Sequence, residues 1–272
     1  MRKVFGRALA VPLTMFAAAF TAGAAECGDP DCGRRVAELE KRLSELERRV
    51  AALERTSAAP RAKSVWRDNT FNYLAIGNSL TKHGVCKYWW NPVGMAASDA
   101  DHDYYHLVRR GLEERFGKVT SQAVNFSTWE ITAHDRDQTF SKIDKLLDER
   151  VALVTVQLGE NVKDFSTLLE DYVSLIEHIR KKTGGKAQII VVGDFWRDES
   201  VRAAAAEKCG VDYVSLKAAQ GNPKYRSRIG AVVFDPAGNE HVVKHAGVAK
   251  HPGDEGMAFI SARILEKVGP RR

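Results

Sequence analysis

The stretch Phe71-Asn72-Tyr73-Leu74-Ala75-Ile76-Gly77 runs directly into Asn78-Ser79-Leu80-Thr81. A short, mostly apolar and aromatic run closed by glycine reads as a strand. The polar turn after it places a serine where the strand ends. Outward from this point two periods alternate. Residues 102–116 carry Tyr104, Leu107, Val108, Gly111, Leu112 and Phe116 at helical spacing, Thr120–Phe126 reads as strand, and 139–149 as helix. Leu153–Leu158 (LVTVQL) reads as a buried strand. Phe165, Leu168, Leu169, Tyr172, Leu175, Ile176 and Ile179 mark a helix ended by Gly184-Gly185. Gln188–Val192 reads as strand, 199–208 as helix, Val211–Leu216 as strand and 257–268 as a last helix. Ile229–Phe234 and Glu240–Lys244 flank Asp235-Pro236-Ala237-Gly238-Asn239 as a hairpin. Strand alternating with helix predicts an α/β domain over residues 65–272, with a central parallel sheet covered on both faces.

The sequence upstream is of a different kind. Residues 57–64 (SAAPRAKS) form a small-residue linker. Before it, Val36, Leu39, Leu43, Leu46, Val50 and Leu53 are spaced alternately three and four apart, an a/d heptad seam. Arg42 and Arg49 fall at g, with Glu47 and Glu54 at the following e positions. That pattern favours a parallel homodimer or trimer through residues 36–53, and residues 26–56 read as a coiled-coil stalk carrying Cys27 and Cys32. Residues 1–25 have a basic start (Arg2, Lys3, Arg7), an apolar stretch and a small-residue end, the pattern of a cleaved secretory signal. The expected mature protein is exported, periplasmic or extracellular, with no stable membrane insertion.

The 272 residues hold 41 Lys and Arg against 35 Asp and Glu, a net charge of +6. Three of those positive charges belong to the signal, so the remainder is +3 and a nucleic-acid partner loses most of its support. At 44% hydrophobic and 28% charged, the composition is that of a globular protein. Four cysteines, Cys27, Cys32, Cys86 and Cys209, stand in a chain expected to meet an oxidising compartment, and their pairing is open.

Ligands of an open parallel sheet bind beyond the carboxyl ends of its strands. The residues standing there are Gly77-Asn78-Ser79-Leu80-Thr81, then Asn125-Phe126-Ser127-Thr128, Gly159-Glu160-Asn161 and Asp194-Phe195-Trp196, with His251-Pro252-Gly253-Asp254 before the last helix. A serine, an amide and a histidine at one end of a sheet are the parts of acyl transfer: nucleophile, oxyanion donor and base.

The order of these blocks resembles that of the SGNH hydrolases, the GDSL-like esterase and lipase superfamily, over about residues 70–268. Gly77-Asn78-Ser79-Leu80 is similar to the first block, with Asn78 in place of the usual Asp. Gly159-Glu160-Asn161 matches the third, and His251-Pro252 the last. The resemblance implies a flavodoxin-like three-layer αβα fold without a cofactor. It implies Ser79 as nucleophile, His251 as base, and an oxyanion hole made by the Ser79 N–H, the Ser127 N–H and the Asn161 side chain. The family's Asp three residues before the histidine is Val248 here. The His251 Nδ1–H must then be held by the carbonyl of Val248 or a neighbour, by Asp254, or by Asp194.

Trp89 and Trp90 are candidates for stacking on a sugar, against a packing role. His102 and His106, at i and i+4, read as charge beside an acidic helix start rather than a metal site, and His241 and His245 of the hairpin read as solvent-facing. The reading that results is an exported serine esterase acting on an ester, such as O-acetyl, of a carbohydrate or cell-envelope substrate. Two alternatives stay open: a catalytically weak binding or scaffold protein joined by its coiled coil, and an O-acyltransferase. The stalk carries its own test. Sedimentation equilibrium of the chain from residue 26 gives a multiple of the protomer mass, and deleting residues 26–57 reduces it to one. A single protomer mass before the deletion defeats the seam.

Overall fold

The computed structural model of the chain describes residues 30–57 and 64–270. These fall into two units, a helix and a folded domain. The expected signal and Cys27 lie outside the described residues, as does most of the linker. Helix α1 (Pro30–Ser57) is built from the Ala, Leu, Glu and Arg that favour helix. Leu39, Leu43, Leu46 and Val50 of the heptad seam are exposed on it. No helix among the described residues is long and apolar enough to cross a membrane.

The domain is built on five parallel strands: β1 (Phe71–Gly77), β2 (Val119–Asn125), β3 (Leu153–Gln157), β4 (Gln188–Val192) and β5 (Asp212–Val214), in the spatial order β2-β1-β3-β4-β5. The register decides where the site lies. Gly77, the last residue of β1, pairs with Asn125 at the end of β2 and with Gln157 at the end of β3. The Ser79 turn therefore emerges between two other strand ends.

Alternation along the strands makes two cores, one on each face. Leu74, Ile76, Val154, Val156, Ile189 and Val191 pack with Tyr172, Leu175, Ile176 and Ile179 of helix α5 (Leu168–Lys182). Tyr73, Ala75, Leu153, Ile190 and Val192 pack with helix α2 (Tyr104–Phe116) and the last helix, α8 (Asp254–Lys267). Helix α6 (Ser200–Cys209) closes the first face. The antiparallel hairpin β6 (Val232–Phe234) and β7 (Glu240–Val242) packs on the loop after Ser79. There Trp89, Val93, Met95, Ala96, Val233, Val243 and Val248 form a third apolar cluster.

Two local readings change. Residues 139–149 hold a helix α4 only over Ser141–Asp144. Beyond it the chain turns through Leu146 N–H to Ile143 and Leu147 N–H to Asp144, closing every three residues. Phe140, Ile143 and Leu147 are still buried together, so the apolar spacing marked the buried face and not the hydrogen-bond pattern. A five-residue helix α3 (Ser127–Ile131) follows β2 with no periodic signal in the sequence, being too short to show one.

Gly77 is required by packing. A Cβ there would lie 1.8 Å from Thr81 Oγ1 and 2.9 Å from the Gln157 carbonyl. The Gly77→Ala variant is expected to lose about 2 kcal/mol or more of stability in urea unfolding, as overpacked sites do. A loss near zero would mean the turn is looser than its geometry indicates.

Candidate active site

Ser79 is held by the turn that carries it. The Asn78 carbonyl accepts from the N–H groups of Thr81 and Lys82, Asn78 Oδ1 accepts from Leu80 N–H, and the Ser79 carbonyl accepts from Met95 N–H. His251 lies 172 residues away in sequence, on the turn between helix α7 (Ala246–Ala249) and α8. The two meet with Ser79 Oγ and His251 Nε2 2.8 Å apart.

The His251 Nδ1–H donates to the Gly247 carbonyl at 2.8 Å. That fixes the tautomer, leaving Nε2 as an acceptor facing the serine hydroxyl. The carbonyl that holds the proton is thus the neighbour of Val248, and Val248 itself, Asp254 and Asp194 are corrected as holders. The Val248 carbonyl accepts from the His251 backbone N–H. Asp254 Oδ1 accepts from Ser98 N–H at 2.7 Å. Asp194 is fully buried and paired with Arg202 at 2.7 Å. Trp196 meets the imidazole edge to face, with ring centroids 5.1 Å apart. Burial, with His83 and His245 nearby, pulls the His251 pKa down to about 4 against the opposing bond to Gly247, so the ring is neutral at pH 7.

Beneath the serine turn lies a buried polar network. Asn78 Nδ2 donates to Glu130 Oε1 at 2.9 Å and to Glu160 Oε2 at 2.6 Å. Glu130, on α3, also accepts from the N–H groups of Gly159 and Asn161 and, at 2.6 Å, from Asn161 Nδ2. Gln157 Nε2 and Phe195 N–H donate to Glu160 Oε1. Burial, together with Asp194 nearby, pushes the Glu160 carboxyl up to about 8. Gln157 Oε1 is buried without a partner. Turning that amide over would let its oxygen accept from a protonated Glu160, the form that burial favours.

A cavity of about 580 Å³ opens over Ser79 and His251. Asn161, Ser127 and Asn125 line it beside them, with Lys163 and Arg197 at its wall. Ser127 N–H donates to Asn125 Oδ1 at 3.0 Å. The tryptophan doublet does not reach this space. Trp89 is fully buried in the third cluster, and Trp90 stacks on His241 at 4.5 Å. The aromatic lining is Tyr88, stacked on His245 at 4.3 Å, and both rings line the cavity. His241 is half-buried between Trp90 and Asp235, whereas His245 is exposed as expected while stacking on Tyr88. His102 and His106 each face their own aspartate, Asp99 and Asp103. Cys86 and Cys209 are free thiols.

Sequence reasoning missed Glu130, Tyr88 and His245, and it reached the carbonyl beside Val248 without singling out Gly247. Tyr88 adjoins the tryptophan doublet and was open to the same argument. Gly247 acts through its backbone, which residue type does not reveal.

No family model and no curated protein sequence matches the chain. Among solved structures it is similar to a two-domain esterase active on acetylated mannans, co-crystallized with mannopentaose (TM-score 0.46, 16% identity, covering 72% of this chain and 48% of that one). It is also similar to phospholipase A1 from Streptomyces albidoflavus (TM-score 0.48, 14% identity, covering 73% and 100%). A third likeness is to an acetyl xylan esterase from Geobacillus stearothermophilus (TM-score 0.43, 16% identity, covering 75% and 98%). The chain spans about half the length of the first of these.

The raised Glu160 pKa has a signed consequence for stability. The native state holds this proton more tightly than the unfolded chain, so stability falls as pH rises from the ordinary carboxyl range through about 8. Glu160→Gln removes that loss. Between about pH 5 and about pH 9 the Tm of the variant rises relative to wild type. A Tm difference that stays constant with pH would show that Glu160 does not titrate there.

Proposed function

We propose that this chain works as an SGNH-type serine esterase, and the observation that carries the reading is the Ser79–His251 contact with its Nδ1 proton tied to the Gly247 carbonyl. His251 Nε2 takes the Ser79 proton as Oγ attacks the ester carbonyl. The imidazolium then gives that proton to the leaving alcohol, and an acyl-serine remains. Water, deprotonated by the same nitrogen, releases the acid, while a sugar hydroxyl in its place would make the reaction an acyl transfer. The developing oxyanion is stabilised by the Ser79 N–H, the Asn161 Nδ2 and the Ser127 N–H. The last of these is bonded to Asn125 Oδ1, and an oxyanion, the stronger acceptor, displaces that neutral amide oxygen.

The substrate proposed is an ester on a carbohydrate or cell-envelope glycan, with acetyl as the acyl group. The stacked Tyr88 and His245 give the cavity a flat aromatic wall suited to a sugar face. Export through residues 1–25 and self-association through the seam exposed on α1 complete the proposal. The engaged Ser127 N–H favours one second reading, a binding protein of low turnover.

Turnover of p-nitrophenyl acetate separates the two. Ser79→Ala is expected to lower kcat by about a thousandfold or more. Because the His251 proton leaves at about 4, kcat/KM holds well below pH 6 and falls only as pH drops through about 4. Equal rates for wild type and Ser79→Ala would remove Ser79 as nucleophile. Absence of turnover on both this ester and acetylated oligosaccharides would favour the binding reading.

A further inference from the structure

We propose that Glu130 is the positioning residue for the oxyanion-stabilising amide of Asn161. This rests on the serine-esterase reading and adds to it a side chain that touches no reacting atom.

Asn161 stands exposed at the cavity, where an asparagine side chain ordinarily samples several rotamers. An oxyanion donor that must first be ordered loses much of its effect, because preorganisation is the source of that effect. Glu130 removes the freedom. It is 1% exposed, and its Oε2 takes one of the two Asn161 Nδ2 hydrogens at 2.6 Å. With one N–H fixed, the plane of the amide is fixed, and the second N–H has a set direction. Glu130 Oε1 meanwhile takes the backbone N–H groups of Gly159 and Asn161 and the Nδ2 of Asn78, the residue next to Ser79. The turn of the nucleophile keeps its own bonds, from Thr81 and Lys82 N–H to the Asn78 carbonyl and from Asn78 Nδ2 to Glu160, so what depends on Glu130 is the Asn161 amide.

The register explains how it reaches them. Glu130 lies one turn into α3, the helix that begins at Ser127 just beyond the end of β2. Gly159 follows β3, and its φ of +121° suits glycine. A Cβ there would also meet the Arg202 guanidinium at 1.8 Å. Glu130 spans from the end of one strand to the end of another, across the end of β1.

Charge and position predict opposite signs. A negative side chain near a developing oxyanion opposes it, so an effect of charge alone would make Glu130→Gln faster. A positioning role makes it slower, since a glutamine has one acceptor oxygen where both glutamate oxygens are in use.

The test is kinetic. With p-nitrophenyl acetate, Glu130→Gln is expected to lower kcat about 10- to 100-fold, within the range for a lost oxyanion donor, while KM changes by less than about threefold. Because Glu130 acts through Asn161, the double variant Glu130→Gln/Asn161→Ala is as slow as Asn161→Ala alone, within about twofold. An unchanged or raised kcat in Glu130→Gln, or losses that multiply in the double variant, would overturn the proposal. If Glu130→Gln does not fold, NMR of the wild-type protein decides. The one Asn161 side-chain amide proton held by Glu130 then exchanges at least about tenfold more slowly than that of a solvated asparagine, and ordinary exchange of both protons overturns the assignment. Absence of ester turnover by the wild type would remove the esterase reading instead, and slow exchange of the Asn161 amide would still identify Glu130 as its holder.

Discussion

Two glutamates buried side by side beneath a strand-end turn set the terms for everything around them. Glu130 and Glu160 are each less than a tenth exposed, and both accept from the same Asn78 amide. A carboxylate at position 78 would put a third acceptor where two already compete for donors, and burial makes an unpaired acceptor costly. Asn78 is therefore the residue type this network needs, and the departure from the usual first block has a local cause. The Asp194–Arg202 pair lies just beyond, with Arg202 Nε also donating to the Leu158 carbonyl. Three buried carboxyls, Glu130, Glu160 and Asp194, thus lie near one guanidinium, and the N–H groups that satisfy them tie the strand ends to one another.

The inner strands β1, β3 and β4 were legible because each is a short, mostly apolar run of the kind that both faces of a covered sheet require, while the edge strand β2 is more polar and only partly buried. Ser79, Asn161 and His251 were legible together because strand ends in a parallel sheet converge, whatever their separation in sequence. The remainder was hidden for particular reasons. Glu130 sits on a helix of five residues, too short for a 3.6-residue period to declare itself. That a backbone carbonyl near Val248 orients His251 was among the expectations, but carbonyls stand at every position and none marked Gly247 as the one. The tryptophan doublet misled because Trp89 pairs back on Cys86 in a tight bridge. That bridge sends Trp89 into the third cluster and leaves Trp90 to lie against His241.

That third cluster joins the loop after Ser79 to the hairpin and to Val248. Phe234 N–H donates to the Ser98 carbonyl, and Asn91 Nδ2 to the Phe234 carbonyl, so loop and hairpin are one packed wall. Val248, at the position where the family that the sequence resembles carries its acid, is fully buried in this cluster. An aspartate there would stand in an apolar core. The absence of the acid and the presence of the wall are two sides of one packing choice.

The Gly247 carbonyl belongs to the last turn of a four-residue helix, one of the acceptors that every helix leaves unpaired at its end. Because the atom that orients His251 is part of the peptide backbone, no side-chain replacement deletes it. A substitution can remove the serine or the histidine, but this acceptor is written into the path of the chain and is inherited with the fold.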